Sequence, residues 1–348
     1  MTEVPTTDLF DHGPSGLVRL FEEMGEPSYR ARQLMQWVYG LKAQSFAEIT
    51  VLPRRLRDRL ASEVAWVPPE LVERQVSRDG TRKYLWRFGD GVSVESVAMP
   101  SGKRLTVCFS TQAGCAMGCA FCATGRSGFE RDLRPGEMAM QVALAGRDLG
   151  QRVTNAVAMG QGEPFAAYEA TLEALRLMNS PDGLGIGARH LTVSTCGIVP
   201  AIERFASEPE QYTLAVSLHS AVQETRDRLM PAMRAHPLAR LRAALVAYAT
   251  ASGRRPTLEY ALIEGVNDSP KEAAALAEFC RGMLCHVNLI PANPVEGADF
   301  ERAGREAVLL FEDVLRRAGV EVSVRVERGA DIAAACGQLK QRASADGG

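Results

Sequence analysis

The sequence of 348 residues lacks any apolar run that approaches the ~20 residues of a membrane-spanning helix. Its first residues carry neither the basic nor the apolar stretch of a secretory signal. Internal repeats and low-complexity segments are also missing, so neither a solenoid nor a disordered chain is indicated. With 46% apolar and 24% charged residues the composition is that of a globular protein. We expect no membrane partner and a cytoplasmic location.

A strong net charge is missing as well. The formal net charge is -2, so the chain does not bind nucleic acid as a polycation would. An RNA-directed enzyme would have to use local basic patches. The best candidates are N-terminal arginines: Arg30, Arg32, Arg54, Arg55, Arg57 and Arg59. Charge alone favours the simpler interpretation, a solvated helix face.

Cysteine, by contrast, is plentiful. Eight cysteines in a chain of this size do not fit the disulfide framework of a small secreted scaffold, which indicates a reducing compartment. Three of them, Cys115, Cys119 and Cys122, follow the spacing CxxxCxxC. Thiolates this close together are typical metal ligands, and three of them leave one iron of a 4Fe-4S cluster open to a substrate. A zinc site is the alternative, and it would need a fourth ligand such as Cys108, Cys196 or a histidine.

The patterning of apolar residues predicts a small helical unit followed by an α/β core. Helical patterns at residues 14–63 indicate an N-terminal accessory domain, residues 1–75. Strand-like alternation on both sides of residues 89–91 predicts a β-hairpin linker, residues 76–100. In the core, residues 101–348, strand-like runs alternate with helical stretches, which predicts a parallel sheet, either open or curled into a partial barrel. The predicted strands are 105–110, 156–159, 190–195, 212–219, 257–263, 287–290 and 320–326, and the predicted helices are 136–149, 168–178, 238–251, 271–282 and 301–318.

Residues suited to ligand binding follow several of these strands, where the active residues of such sheets gather. Gly162 allows a ligand to approach the backbone closely, and Glu163 could accept a hydrogen bond from an ammonium group. Other side chains suit a ribose, a carboxylate or an adenine edge: Ser194, Ser217, His219 and Asn293. Each of these residues, taken alone, is better explained as a structural hydrogen-bonding group.

The order of these motifs over nearly the whole chain resembles radical S-adenosylmethionine RNA methyltransferases of the RlmN and Cfr type. Matching segments are 29–33, 37–39, 94–97, 114–125, 128–133, 192–200, 217–219, 265–269, 288–291 and 335–339. One departure is Gln161, where the family more often has methionine. The resemblance implies a partial (β/α) barrel of the radical S-adenosylmethionine type, an accessory domain that binds RNA, and a C-terminal tail with a catalytic cysteine.

The same resemblance implies the cofactors. One 4Fe-4S cluster would be held by Cys115, Cys119 and Cys122, and two S-adenosylmethionine molecules would be used per turnover. The residues implied to bind S-adenosylmethionine are Gly162, Glu163, Ser194, Ser217, Leu218, His219 and Asn293. An external electron donor similar to flavodoxin or ferredoxin is implied as a partner.

The resemblance finally implies a two-step methylation of carbon 2 of adenosine in 23S ribosomal RNA and, next to the anticodon on its 3′ side, in transfer RNA. Cys336 would carry the methyl group and then link covalently to the RNA. Cys108 would release the link through a transient disulfide with Cys336, and Glu95 would accept the proton of the ring carbon. The alternatives are methylation of carbon 8, as in the Cfr type that confers antibiotic resistance, a related enzyme with another substrate, and a non-catalytic iron-sulfur electron-transfer protein.

Overall fold

The N-terminal unit consists mainly of three helices. The computed structural model describes residues 7–293 and 300–339, so the ends of the predicted domains, 1–6 and 340–348, lie outside the described residues. The helices are α1 (Pro14–Glu23), α2 (Tyr29–Val38) and α3 (Arg54–Glu63). The sequence predicts a helical unit, but the unit also contains two short strands, β1 (Thr7–Asp8) and β2 (Val64–Ala65), which pair in parallel.

Three antiparallel strands follow: β3 (Glu70–Val76), β4 (Arg82–Arg87) and β5 (Ser93–Ser101). The predicted hairpin is formed by β4 and β5, and its turn is closed by a 2.8 Å hydrogen bond from the Phe88 N–H to the Val92 carbonyl. The pattern of the sequence did not reveal β3, an edge strand whose side chains are mostly exposed. All three strands belong to the sheet of the core, because β5 pairs with the first core strand.

The described part of the core contains nine strands. They are β6 (Arg104–Cys108), β7 (Gln112–Gly114), β8 (Phe129–Asp132), β9 (Asn155–Ala158), β10 (Leu191–Thr195), β11 (Thr213–Ser217), β12 (Thr257–Leu262), β13 (His286–Pro291) and β14 (Glu321–Val324). All seven predicted strands are confirmed, and β7 and β8 form a separate antiparallel pair.

The seven predicted strands pair in parallel, and each lies beside the one that precedes it among the seven. Their order in the sheet is β6, β9, β10, β11, β12, β13 and β14. This single winding is the arrangement of a barrel. The edge strands of the ten-stranded sheet, β3 and β14, do not pair with each other within the described residues, so the barrel is partial, as the sequence predicts.

The longer helices pack on the sheet, and the described part of the core contains eight α-helices. They are α4 (Ala123–Arg126), α5 (Pro135–Leu149), α6 (Tyr168–Asn179), α7 (Val199–Phe205), α8 (Gln223–Leu229), α9 (Leu238–Ser252), α10 (Pro270–Cys280) and α11 (Arg305–Arg317). On β10, Leu191 and Val193 are fully buried in the main apolar core, whereas Ser194 faces the interior cavity. None of the helices in the described ranges is long and apolar enough to cross a membrane.

Candidate active site

A cavity opens at the carboxyl ends of the parallel strands. Its wall contains all three cysteines of the CxxxCxxC motif, Cys336, and six of the residues predicted to bind S-adenosylmethionine: Gly162, Glu163, Ser194, Ser217, His219 and Asn293. Residues from five strand ends and the C-terminal tail therefore meet at one place. The sequence predicted the strand-end positions from the alternation of strands and helices, and the position of Cys336 only through the family resemblance.

Leu218 is the exception among these predicted residues. Its side chain is fully buried in the main apolar core, and its backbone N–H donates a 3.0 Å hydrogen bond to the Glu259 carbonyl. Leu218 therefore supports the wall between Ser217 and His219 without lining the cavity.

The three cysteines lie on the loop between β7 and α4. The Cys115 N–H donates to the Gly128 carbonyl at 2.7 Å and the Cys122 N–H to the Cys119 carbonyl at 3.1 Å, so the loop has a defined conformation. All three are free thiols on the cavity wall. Burial raises the pKa of Cys115 to about 11 and also raises the pKa of Cys119.

The arrangement of the three thiols suits the cluster that the motif predicts better than a single metal ion. In the described part of the chain no three His, Cys, Asp or Glu side chains converge as one metal ion requires. In a 4Fe-4S cluster each cysteine binds a different iron, and soft thiolates are its usual ligands. Three thiols on one loop, all facing one cavity, fit that group.

Glu163 is held rigidly on the opposite wall. Its two carboxylate oxygens accept backbone N–H groups, from Phe165 at 3.0 Å and from Cys196 at 2.7 Å. Burial raises the pKa of Glu163, and these hydrogen bonds oppose the rise. The preceding Gly162 has φ +101° and would bring a Cβ atom within 2.6 Å of Gln112, so only glycine fits there. The turn therefore presents a fixed acceptor that suits an ammonium group.

His219 presents a neutral donor. Its Nδ1 accepts the Ala261 backbone N–H at 2.9 Å, which assigns the ring hydrogen to Nε2. Burial and the charge of Arg226 lower the pKa of His219 to about 3, so the imidazole is uncharged at neutral pH. The ring packs edge-on against Phe121, with centroids 4.6 Å apart. A neutral N–H on this wall suits a carboxylate or a ring nitrogen of S-adenosylmethionine.

Cys336 lies on the tail that follows β14, which is irregular apart from a short 3-10 helix at Ala330–Ile332. On one side the Asp331 carboxylate accepts hydrogen bonds from the Ser77 hydroxyl at 2.6 Å and the Arg78 N–H at 3.2 Å, in the turn between β3 and β4. On the other side the tail carbonyls accept hydrogen bonds near the cysteine loop. These are Asn293 Nδ2 to Cys336 at 3.1 Å, Ala123 N–H to Gly337 at 2.8 Å and Thr124 Oγ1 to Leu339 at 2.8 Å.

Cys108 and Glu95 lie on the sheet face that the tail covers. Cys108 pairs with Val97 across β6 and β5, and Glu95 lies two residues before Val97 on the same face. Cys108 and Cys336 line a cavity that adjoins the first one, and both are free thiols. Glu95 is buried, lines neither cavity, and forms an ion pair with Lys83, whose Nζ is 3.4 Å from Oε1.

Two charged or polar neighbours of these residues were missed by sequence reasoning. Arg325 lines both cavities beside Cys336, and the charge of that sulfur raises the pKa of Arg325. Burial and the same sulfur raise the pKa of Cys108 to about 12. Gln161, seen in the sequence only as a departure from the family, accepts the Glu95 N–H at 3.4 Å. Period-two alternation along β14 was the available signal for Arg325.

The N-terminal arginines differ in what they contact. Arg30 donates to Gln33 and the Val51 carbonyl, and Arg57 donates to the Ala47 carbonyl. Arg54 and Arg59 pair with carboxylates on their own helix, α3. The two that are exposed and make no hydrogen bond or ion pair with the part of the chain that is described are Arg32 and Arg55.

Two family models match the chain. Residues 109–277 match the model of the Radical SAM superfamily. Residues 7–66 match the model described as the ribosomal RNA large subunit methyltransferase N-terminal domain. The two matches cover the three-helix unit and the core from β7 to β12, and they do not reach β13, β14 or the tail with Cys336.

Similar proteins cover nearly the whole chain. A protein of Symbiobacterium thermophilum is 47% identical over 93% of this chain and 88% of its own length. A protein of Pelotomaculum thermopropionicum is 48% identical over 94% of this chain and 90% of its own. Both are named "Probable dual-specificity RNA methyltransferase RlmN". The crystal structure of a radical SAM methyltransferase from Sphaerobacter thermophilus has a TM-score of 0.90 and 46% identity, and covers 97% of this chain and 100% of that one.

Proposed function

Because this chain belongs to the RlmN family of radical S-adenosylmethionine methyltransferases, we propose that it methylates carbon 2 of adenosine in 23S ribosomal RNA and in transfer RNA. As a member of this family it is an enzyme that uses a 4Fe-4S cluster and S-adenosylmethionine, not an electron carrier. One observation carries the proposal: Cys336 lines the same cavity as the three cysteines of the motif. In the sequence Cys336 is more than 200 residues away from them. A carrier protein has no use for such a thiol.

The residues that would hold the cofactors are those of the cavity wall. Cys115, Cys119 and Cys122 would each bind one iron of the cluster. Glu163 would accept a hydrogen bond from the amino group of S-adenosylmethionine, and His219 would donate one to its carboxylate or to a ring nitrogen. Ser194, Ser217 and Asn293 offer further polar groups on the same wall. When bound, the cluster and S-adenosylmethionine supply the one-electron chemistry that removes a hydrogen atom from an unreactive methyl group.

Three side chains of the protein would carry out the remaining steps. Cys336 takes a methyl group onto its sulfur and, after loss of a hydrogen atom, links through that carbon to the adenine ring. Glu95 accepts the proton of the ring carbon. The unpaired electron left on the linked ring would return to the cluster, so that the ring regains its aromatic bonding. The Cys108 thiolate then attacks the Cys336 sulfur, a disulfide forms, and the carbon–sulfur electron pair stays on the carbon, which takes up a proton from water and becomes the product methyl group. An external two-electron reductant then restores both thiols.

The surroundings of Cys108 and of the N-terminal arginines support the proposal. Burial raises the pKa of Cys108 to about 12, so this thiol is protonated at neutral pH, and the nearby Arg325 cation opposes the rise. Arg32 and Arg55 are exposed cations with no described intramolecular partner, which suits RNA phosphates. The target adenosine must leave its stack to reach a cavity, a cost of a few kcal/mol that is lowest in a loop. Ribosomal and transfer RNA also fit the predicted cytoplasmic location.

The test is nucleoside analysis. Reconstituted protein is incubated without oxygen with methyl-labelled S-adenosylmethionine, a reductant, and either 23S ribosomal RNA fragments or transfer RNA transcripts. We expect labelled 2-methyladenosine from both, by comparison with standards of 2-methyladenosine and 8-methyladenosine. Label in 8-methyladenosine would replace the proposal by the carbon-8 activity, and unlabelled RNA alongside methylated Cys336 would indicate another substrate.

The RNA-binding surface has its own test. The double variant Arg32→Glu with Arg55→Glu should raise the KM for RNA by about tenfold, because two phosphate contacts become repulsive. Methylation of Cys336 without RNA should be unchanged. The control is the double variant Arg316→Glu with Arg317→Glu, which reverses the same number of charges at the C-terminal end of α11. Equal effects of the two double variants would remove the N-terminal arginines from the proposal.

A further inference from the structure

A buried lysine lies between the predicted proton acceptor and the tail. Lys83 Nζ is 3.4 Å from Glu95 Oε1 and 3.3 Å from the Ala333 carbonyl oxygen, to which it donates. The two side chains of the ion pair are 7% and 3% exposed. A lysine at such depth is costly unless its charge is paired and its donors are used. These two acceptors meet that requirement with groups from two distant parts of the chain.

The register of the sheet explains the contact. Across β4 and β5, Leu85 is opposite Glu95 and Lys83 is opposite Val97, so Lys83 and Glu95 are diagonal neighbours on one face. The tail packs on that same face, against Val97 and Cys108. The Lys83 ammonium group therefore lies between β5, which carries Glu95, and the tail.

The carbonyl that Lys83 binds belongs to an unusual residue. Ala333 has φ +48°, the left-handed conformation that residues other than glycine adopt rarely. It lies three residues before Cys336, directly after the short 3-10 helix. A charge-assisted hydrogen bond to this carbonyl compensates for the strain and sets the direction in which the chain continues to Cys336.

We infer that Lys83 is a positioning residue that keeps the Glu95 carboxylate in place and holds the Cys336 tail against it. The inference rests on the proposed function, in which Glu95 is the proton acceptor. In that step the ring carbon–hydrogen bond breaks, its electron pair stays with the ring, and the proton moves to a Glu95 oxygen. Lys83 keeps its own proton throughout, so it contributes charge and geometry and no proton.

The experiment compares Lys83→Met and Lys83→Arg with the matched control Arg82→Met. Arg82 is the neighbouring cation on β4 and contacts Asp148, far from the tail. Each variant is assayed in a single turnover for methylated Cys336, for RNA attached covalently to the protein on a denaturing gel, and for released methylated RNA. Thermal unfolding is recorded alongside.

For Lys83→Met we expect methylated Cys336 within about twofold of wild type, and breakdown of the protein–RNA link slowed by about a hundredfold, the scale of a lost general base. The linked species should therefore accumulate. Lys83→Arg should recover most of the breakdown rate, and Arg82→Met should behave as wild type even if its thermal midpoint falls.

If the link breaks down at the wild-type rate in Lys83→Met, the role of Lys83 is overturned and the proposed function is not affected. Parallel loss of Cys336 methylation, link formation and thermal stability, without recovery in Lys83→Arg, also overturns it, because Lys83 would then be a structural residue. If wild-type protein methylates RNA without ever forming the link, the proposed mechanism fails, and the role of Lys83 fails with it.

Discussion

The strand-end cavity and the C-terminal tail meet at one site, but they are held in different ways. In the cavity, the side chains that would contact S-adenosylmethionine are oriented by backbone groups: two N–H groups bind Glu163 and one binds His219. The described part of the tail, residues 325–339, contains no strand and one short helical turn, and is held by apolar contacts of Ala334 and Leu339 and by hydrogen bonds from single side chains and N–H groups.

The difference matches the tasks of the two regions. A hydrogen bond contributes only about 1 kcal/mol net, so a segment held by a few of them can be displaced at modest cost. A cofactor that must be bound in one orientation requires a rigid wall. In the proposed mechanism the Cys336 sulfur meets a methyl donor, an RNA base and Cys108 in turn, and a tail held by single side chains and N–H groups allows that succession.

The largest expected effect comes from the tail. Cys336→Ala should reduce RNA methylation below detection, because the sulfur that carries the methyl group is gone, while S-adenosylmethionine binding to the cavity stays unchanged. Cys280→Ala, a buried thiol outside the cavity, is the matched control and should remain active. Incorporation of labelled methyl groups into RNA measures both. Intact turnover in Cys336→Ala would make the tail dispensable and favour direct methyl transfer.

The next effect tests the rigidity of the cavity. Gly162→Ala should weaken S-adenosylmethionine binding by at least about tenfold, or about 1.4 kcal/mol, because a Cβ atom would collide with Gln112 and shift Glu163. Gly150→Ala introduces the same residue at a left-handed glycine, φ +59°, with nothing within 4 Å of the added atom. Titration calorimetry should separate the two variants. Equal loss in both would show that backbone strain alone, and no feature of this wall, controls binding.

A smaller effect is expected where the tail meets the turn between β3 and β4. Asp331→Ala removes the acceptor of two hydrogen bonds, and we expect alkylation of Cys336 to accelerate about fivefold, which corresponds to about 1 kcal/mol. Binding of S-adenosylmethionine should not change. Asp313→Ala, which breaks an exposed ion pair on α11, is the control. Unchanged Cys336 reactivity would mean that the tail is held elsewhere.

The lowest absolute reactivity is expected of Cys108, on the sheet face beneath the tail. With its pKa raised to about 12, its thiolate fraction is small at neutral pH and grows about tenfold with each pH unit. Alkylation of Cys108, followed by mass spectrometry of its peptide, should therefore rise without a plateau from pH 7 to pH 9. A plateau within that interval would show that Cys108 is already ionised and that burial does not control it.

The sequence predicted the core strands well because alternation and apolar runs report burial directly. It missed α7 and α8, whose seven residues are too few for a clear helical period, and β3, whose exposed side chains carry little apolar pattern. The cysteine motif was predictable because its ligands are close in the chain.

The side-chain partners of the site were less predictable. Lys83 could not be assigned before the register of β4 against β5 was known, since a shift by one residue would turn its side chain to the opposite face. Leu218 shows the reverse: it follows Leu214 and Val216 at a spacing of two on the buried side of β11, a pattern that already indicated core.

The continuity of the ten-stranded sheet has a practical consequence for chimeric enzymes. A junction at residues 75–76 would cut β3 and one at 100–101 would cut β5, the strand whose ladder with β6 sets Glu95 beside Cys108. Residues 66–69, between β2 and β3, interrupt no strand. Exchanging the three-helix unit between relatives at that joint should leave the ten-stranded sheet intact.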